Sequence, residues 1–200
     1  MTELEAPAVA ALRGALDGMG ALVAGVRPDQ WADRSTCPDW DVRALVDHVV
    51  FGNRAFIGIL SGEPGPPQEQ IRATRDQDAP GGDPVAAWRD SAAGLLAAFD
   101  APGVLEQSFR SPLGPMPGAG LAGLRLTETL VHGWDLARST GQQPAFDEAV
   151  TRTALDFTMH QLPPGADRSS FPFAPEQPAP ADAPAIDRLA AHLGRRIAGN

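Results

Sequence analysis

The sequence contains no lysine: all 16 of its basic residues are arginine, and against 25 acids they leave a formal net charge of −9. An acidic chain with a pI near 4.8 is a poor partner for a polyanion, because phosphate neutralisation dominates nucleic-acid affinity. Nucleic acid is therefore excluded as a partner. Without lysine no Ser-x-x-Lys nucleophile can be built, and no G-x-S-x-G elbow is present either. The lone Cys37 rules out an intrachain disulfide and a multi-cysteine zinc site. No apolar run approaches the ~18 residues that span a bilayer, and Glu3 and Glu5 stand where a signal peptide would be basic. The expectation is a cytoplasmic protein with no membrane partner. Tyrosine is absent and aromatics make up 6% of the chain, so alanine, leucine and valine must fill the core, which suits closely packed helices.

What is present reads as helices. Residues 3–25 place apolar side chains at 9, 12, 16, 19, 22 and 23, close to the 3.6-residue period, and predict a first helix. VRPDQWADRSTCPDW, 26–40, is a turn-rich crossing that Trp31 and Trp40 anchor. Asp41 then caps a second helix with an inward stripe of Leu45, His48, Val49, Gly52, Phe56 and Ile59. Residues 61–82, dense in proline, glycine and charge, form a long loop of the kind that is often mobile or functional. A third helix starts at the Asp83 cap with Pro84 in its first turn and runs to about Asp100. Residues 103–120 cannot stay helical and admit a short extended piece. A fourth helix covers 119–140 with Gly141 as its left-handed cap, a fifth covers 147–161, and IDRLAAHLGRRIA closes the chain as an amphipathic helix after a Pro-rich stretch, 163–185. The fold class expected is all-α, a four-helix bundle with one or two additional C-terminal helices.

The fourth helix carries TETLVHGWDLA, 127–137, in which three ionisable groups interrupt an apolar run. Glu128 and His132 are four residues apart, so their side chains share one face. Both can reach one point. Imidazole nitrogen and carboxylate oxygen are ligands for zinc-like ions, and His48 from the second helix would complete a two-histidine, one-carboxylate set with positions left open. Asp135, three residues past His132, can accept the other ring N–H of that histidine and fix its tautomer. Asp47 points about 100° away from His48 and takes no ligand role. The plainer alternative is a solvated Glu–His contact and a core histidine with one hydrogen bond. The apolar neighbours Leu124, Leu130, Val131, Trp134 and Leu136 weigh against it, since a buried carboxylate must be paired, protonated or metal-bound.

STCPDWDVRALVDHVVFGN followed by TETLVHGWDLARSTG resembles the metal-binding domain of mycothiol-dependent maleylpyruvate isomerase and its actinobacterial relatives, within the wider DinB/YfiT-like four-helix-bundle superfamily. The resemblance covers nearly the whole chain, including the ending PADAPAIDRLAAHLGR. It implies a bundle, 1–160, holding a divalent ion through residues that match His48, Glu128 and His132, with a Pro-rich tail and final helix, 161–200, packed on it. Zinc is the ion implied, with nickel an alternative acquired in purification. It also implies thiol chemistry, with mycothiol as co-substrate and an S-transferase or isomerase reaction. The full isomerase carries an additional C-terminal domain, whereas a Pro-rich tail and one helix follow here. A non-catalytic metal-binding or structural bundle stays open beside the enzyme, and so does a homodimer.

Other signals weigh less. GAGLAG, 118–123, fits the dinucleotide G-x-G-x-x-G, but PLGPMP precedes it in place of a buried strand and Gln143 stands where the ribose-binding acid belongs. Small residues easing a helix start close to a neighbour explain it better. Cys37, near the start of the second helix, reads as a small packed or partly exposed thiol. Trp134 is expected to line the site, and His160 and His192 to have structural or solvent-facing roles. Arg54 and Arg125 lie within reach of a substrate carboxylate, with a surface salt bridge as their plainer role.

Overall fold

The computed structural model describes residues 5–38, 40–66, 82–111, 114–144, 146–168 and 173–197. Helix α1 is Glu5–Ala24, α2 Val42–Leu60, α3 Pro84–Phe99, α4 Gly118–Thr140, α5 Glu148–Gln161 and α6 Ala185–His192. Three starts are set by aspartates whose carboxylates accept the otherwise orphaned first-turn N–H groups. Asp41 accepts from Ala44 N at 2.7 Å, Asp83 from Val85 N at 2.9 Å and Asp147 from Ala149 N at 2.7 Å. Helix α4 stops at Gly141, whose φ of 71° lies in the left-handed region. Most of the 61–82 loop falls outside the described residues.

α1, α2, α3 and α4 form a four-helix bundle in which α1 packs on α3 and α4, and α2 packs on the same two. α5 rests on α4 and α1, and α6 on α5 and α4. Leu12, Met19, Leu45, Leu95, Leu126 and Leu130 fill the interior, leucine-rich as the scarcity of aromatics requires. α4 is the central helix, buried on nearly every side from Leu121 to Ala137. No helix among the described residues is long and apolar enough to cross a membrane.

One expectation is sharpened and two are corrected. The short extended piece expected within 103–120 is a two-stranded antiparallel hairpin, β1 Ser108–Ser111 and β2 Gly114–Pro117, whose second strand leads into GAGLAG. It is a partly exposed hairpin strand and not the buried parallel strand a dinucleotide site needs. The buried stripe of α2 is rotated: Val42, Leu45, Val46, Val49, Val50, Asn53 and Ile59 are buried, while His48, Gly52 and Phe56 are half-buried at its margin. The last helix ends at His192, because Gly194 takes φ 89° and the N–H groups of Gly194 and Arg195 turn back to the carbonyls of Ala191 and Ala190.

The glycines at the start of α4 serve close packing. A Cβ on Gly118 would meet the carbonyl of Val104, one on Gly120 would touch Met116 at 3.4 Å, and one on Gly123 would lie 2.6 Å from the Phe157 ring. Backbone cannot swing aside as a side chain can. Gly118→Ala is therefore expected to destabilise the fold by about 1–3 kcal/mol, the usual cost of overpacking. Urea denaturation measures it; an unchanged midpoint would mean that the helix start shifts freely.

Candidate metal and thiol site

Helices α2 and α4 bring His48, Glu128 and His132 together, with one ligand atom from each lying within 4.8 Å of the others. His132 Nε2 stands 3.4 Å from Glu128 Oε2, and the two imidazole rings meet edge to face with centroids 5.1 Å apart. Bonds of ~2.0–2.2 Å set ligands roughly 3.3–3.6 Å apart around a tetrahedral ion, so the His132–Glu128 spacing fits a zinc-like cation. Asp47 turns away to Arg43 at 2.8 Å.

Behind this cluster Asp135 is a fully buried hub. Its Oδ2 accepts from Arg195 Nη2 at 2.9 Å and Cys37 Sγ at 3.4 Å, and lies 3.1 Å from His132 Nδ1. Thr36 Oγ1 donates to its Oδ1 at 3.0 Å. A carboxylate so supplied with donors stays ionised. Burial alone would push it up, but the His132 hydrogen bond and the Arg195 charge hold it well below the usual range. With Asp135 accepting at Nδ1, His132 directs Nε2 toward Glu128 and His48, the orientation a metal-ligating histidine requires.

Burial would likewise raise Glu128, yet the hydrogen bond and charge of His132, with His48 and Arg125 behind, bring it to about 2. For His132 burial opposes protonation, and the bonds to Asp135, Cys37 and Glu128 overcome it, raising the imidazole well above 6.5. A raised histidine contributes stability that is complete below its unfolded value and lost as pH climbs through the folded value; a lowered carboxylate contributes above its unfolded value and loses it on acidification. All of these contributions coexist between 4.5 and 6.5. In chelator-treated protein, the stability difference between wild type and His132→Gln is expected to be largest in that window and to shrink as pH rises above it. Thermal denaturation across pH checks this; a difference that grows with pH contradicts it.

Several residues at the site were missed or misplaced by the sequence reading. Cys37 is not merely packed: it forms a second cluster with His132 and Asp135 whose ligand atoms lie within 4.8 Å of one another. The crossing holds it there, because Thr36 N donates to Ser139 Oγ at 3.0 Å and Ser35 Oγ to the Trp40 carbonyl at 2.9 Å. Trp40 lines the cluster, with its ring 4.5 Å from His48 and 5.9 Å from His132. Trp134 does not occupy this position: two residues on from His132 it points to another side of α4, where Nε1 donates to Asp187 Oδ1 at 2.7 Å and Arg138 stacks 5.1 Å above its ring. Arg195 comes from the turn after α6, which no local pattern ties to the fourth helix. Arg125 makes no surface salt bridge; it is 2% exposed, donating from Nε to Asn53 Oδ1 at 3.0 Å and from Nη2 to the Val49 carbonyl at 3.2 Å. Desolvation lowers it to about 10, which leaves it protonated at neutral pH. Arg54 is exposed, as is His160, whereas His192 is buried between Glu176 and the Leu162 carbonyl.

A bundle whose facing helices converge two imidazoles and a carboxylate belongs with the helical proteins that build polar sites in the bundle interior. The chain belongs to the mycothiol maleylpyruvate isomerase N-terminal domain family, whose model matches residues 12–137. It is 37% identical over 183 residues to the uncharacterized protein Rv0738 of Mycobacterium tuberculosis (strain ATCC 25618 / H37Rv), covering 92% of this chain and 94% of the relative. The uncharacterized protein Rv0036c of the same strain is 29% identical over 154 residues, covering 68% of this chain and 57% of that relative. Among solved structures, the mycothiol-dependent maleylpyruvate isomerase superposes with a TM-score of 0.60 at 18% identity, covering 76% of this chain and 70% of that one. A mutant of the same enzyme gives 0.63 at 16% identity over the same shares. The likeness establishes the shared fold.

Proposed function

We propose that this chain is a divalent-metal protein, with His48, Glu128 and His132 as ligands and a low-molecular-weight thiol as co-substrate, acting in mycothiol-type S-transfer or isomerisation. The observation that carries the reading is the convergence of three ligand atoms within 4.8 Å from two helices, backed by the Asp135 hub. Zinc is the ion that suits two imidazoles and one carboxylate, and when bound it would let a coordinated thiol lose its proton at neutral pH.

The protein's own groups supply the rest. Asp135 holds Nδ1 of His132, Arg195 keeps Asp135 ionised, and Trp40 covers the imidazoles with an apolar face that limits water. Three protein ligands leave room on the ion for a sulfur. The expected setting is the cytoplasm, where such thiols are reduced, and the partners are the thiol and its substrate.

One observation favours a second reading. Both ring nitrogens of His132 already face carboxylates, Nδ1 at 3.1 Å and Nε2 at 3.4 Å, so the cluster is also self-consistent as a hydrogen-bonded brace in a structural bundle. Elemental analysis of untagged protein separates the two: close to one zinc per chain supports the metal site, and none, even after incubation with zinc, supports the brace. Small thiols then test openness, since a ligand bound only by the folded state raises its stability, by about 2.7 kcal/mol at a hundredfold excess over Kd. A closed, non-catalytic metal site would give no shift with thiol.

A further inference from the structure

The charge of Arg125 is only partly matched inside the fold, by the field of one acid that it does not touch. Among the described residues it forms no ion pair, and the only acid whose field it feels is Glu128, one turn further along α4. Asn53 Oδ1 and the Val49 carbonyl are neutral acceptors that a neutral donor would satisfy equally well. The Phe56 ring, 5.8 Å from the guanidinium carbon, offers a face but no counter-charge. A buried cation left this way is costly unless something anionic compensates it.

Position tells where that anion would sit. Arg125 precedes Glu128 by three residues, and its Nη1 lies over Gly52, four residues beyond His48 on α2. Nη1 makes no hydrogen bond among the described residues, and a Cβ on Gly52 would collide with it. The guanidinium therefore lies along the same α2–α4 seam as the His48, Glu128 and His132 cluster, roughly one helical turn, ~5 Å, from it. A divalent ion there would more than offset the single Glu128 carboxylate, and with Arg125 the seam would be net positive.

We propose that Nη1 of Arg125 anchors a carboxylate of the small molecule held at this cluster, so that the site prefers ligands carrying a thiol and a carboxylate about one helical turn apart. The inference rests on the thiol reading of the site and adds the charge of the ligand to it.

Titration calorimetry of the zinc-loaded full chain with 3-mercaptopropionate and with its neutral counterpart 3-mercaptopropanol tests the proposal. The wild type is expected to bind the carboxylate roughly 10- to 100-fold more tightly, the range for a hydrogen bond to a charged group. Arg125→Gln is expected to keep its zinc and lose the preference. Where Arg125→Gln does not fold, Arg125→Lys serves instead, because a lysine cannot reproduce the planar fork and is expected to lose most of the preference. Equal affinities for the two thiols in the wild type overturn the proposal. So does a preference that survives unchanged in the variant, which would place the carboxylate on the metal. Failure of the wild type to take up zinc at all defeats the metal reading itself, a separate result.

Discussion

Replacing His132 by alanine is expected to take bound zinc from stoichiometric to undetectable. The imidazole is the one group shared by both faces of the site, with Nε2 toward Glu128 at 3.4 Å and Nδ1 toward Asp135 at 3.1 Å. Loss of an outer partner of a ligand costs about 10- to 100-fold in affinity, so loss of the ligand itself must exceed that. The fold should survive, because the leucine core of α1, α2 and α4 does not depend on the imidazole. Removing it leaves Asp135 with Arg195, Thr36 and Cys37 as donors. Competition with a chromogenic zinc chelator measures the affinity, and circular dichroism checks the helices. Wild-type zinc content in His132→Ala would place the ion elsewhere.

Asp135→Ala has the second-largest expected effect, and it acts on stability and on metal together. The substitution removes the acceptor for four side chains at once, and one of them is the Arg195 guanidinium, bound at 2.9 Å. Breaking a buried pair by deleting one partner costs about 3–5 kcal/mol. The lower end applies here, since the Arg195 side chain keeps 18% exposure and can turn toward water. His132 also loses the acceptor that holds Nδ1, so zinc affinity should fall by about 10- to 100-fold. Denaturant melts of metal-free and zinc-loaded protein separate the two effects. A stability loss with unchanged zinc affinity would show that Asp135 braces the tail and does not orient the histidine.

The parts of this structure that were legible in the sequence are those governed by local chemistry. Asp41, Asp83 and Asp147 start helices because a short carboxylate satisfies first-turn N–H groups, and Gly141 ends one because only glycine takes that φ without strain. Glu128 and His132 share a face by helical geometry alone. That His48 meets them did not follow from spacing alone, which permits many helix pairings; a histidine in the apolar stripe of a second helix made it the candidate, and the motif resemblance pointed to the same residue. Cys37, Trp40 and Arg195 reach the cluster by a crossing loop and a C-terminal turn whose paths are tertiary, so no period in the chain announces them. Trp134 was misplaced for a simpler reason: two residues along an α-helix is a rotation of about 200° away from His132. The stripe of α2 shifted because Asn53 goes inward to meet Arg125 and Ser91, a polar link that hydrophobic periodicity does not detect.

Anomalous diffraction at the zinc edge from crystals of the zinc-loaded protein is the most direct measurement. The proposed coordination predicts one strong peak between α2 and α4, about 2.0–2.2 Å from a nitrogen of His48, Nε2 of His132 and an oxygen of Glu128, with at least one further position held by water or thiol. A peak at the Cys37, His132 and Asp135 cluster instead, or no peak while His132 stays bonded to both carboxylates, would contradict it.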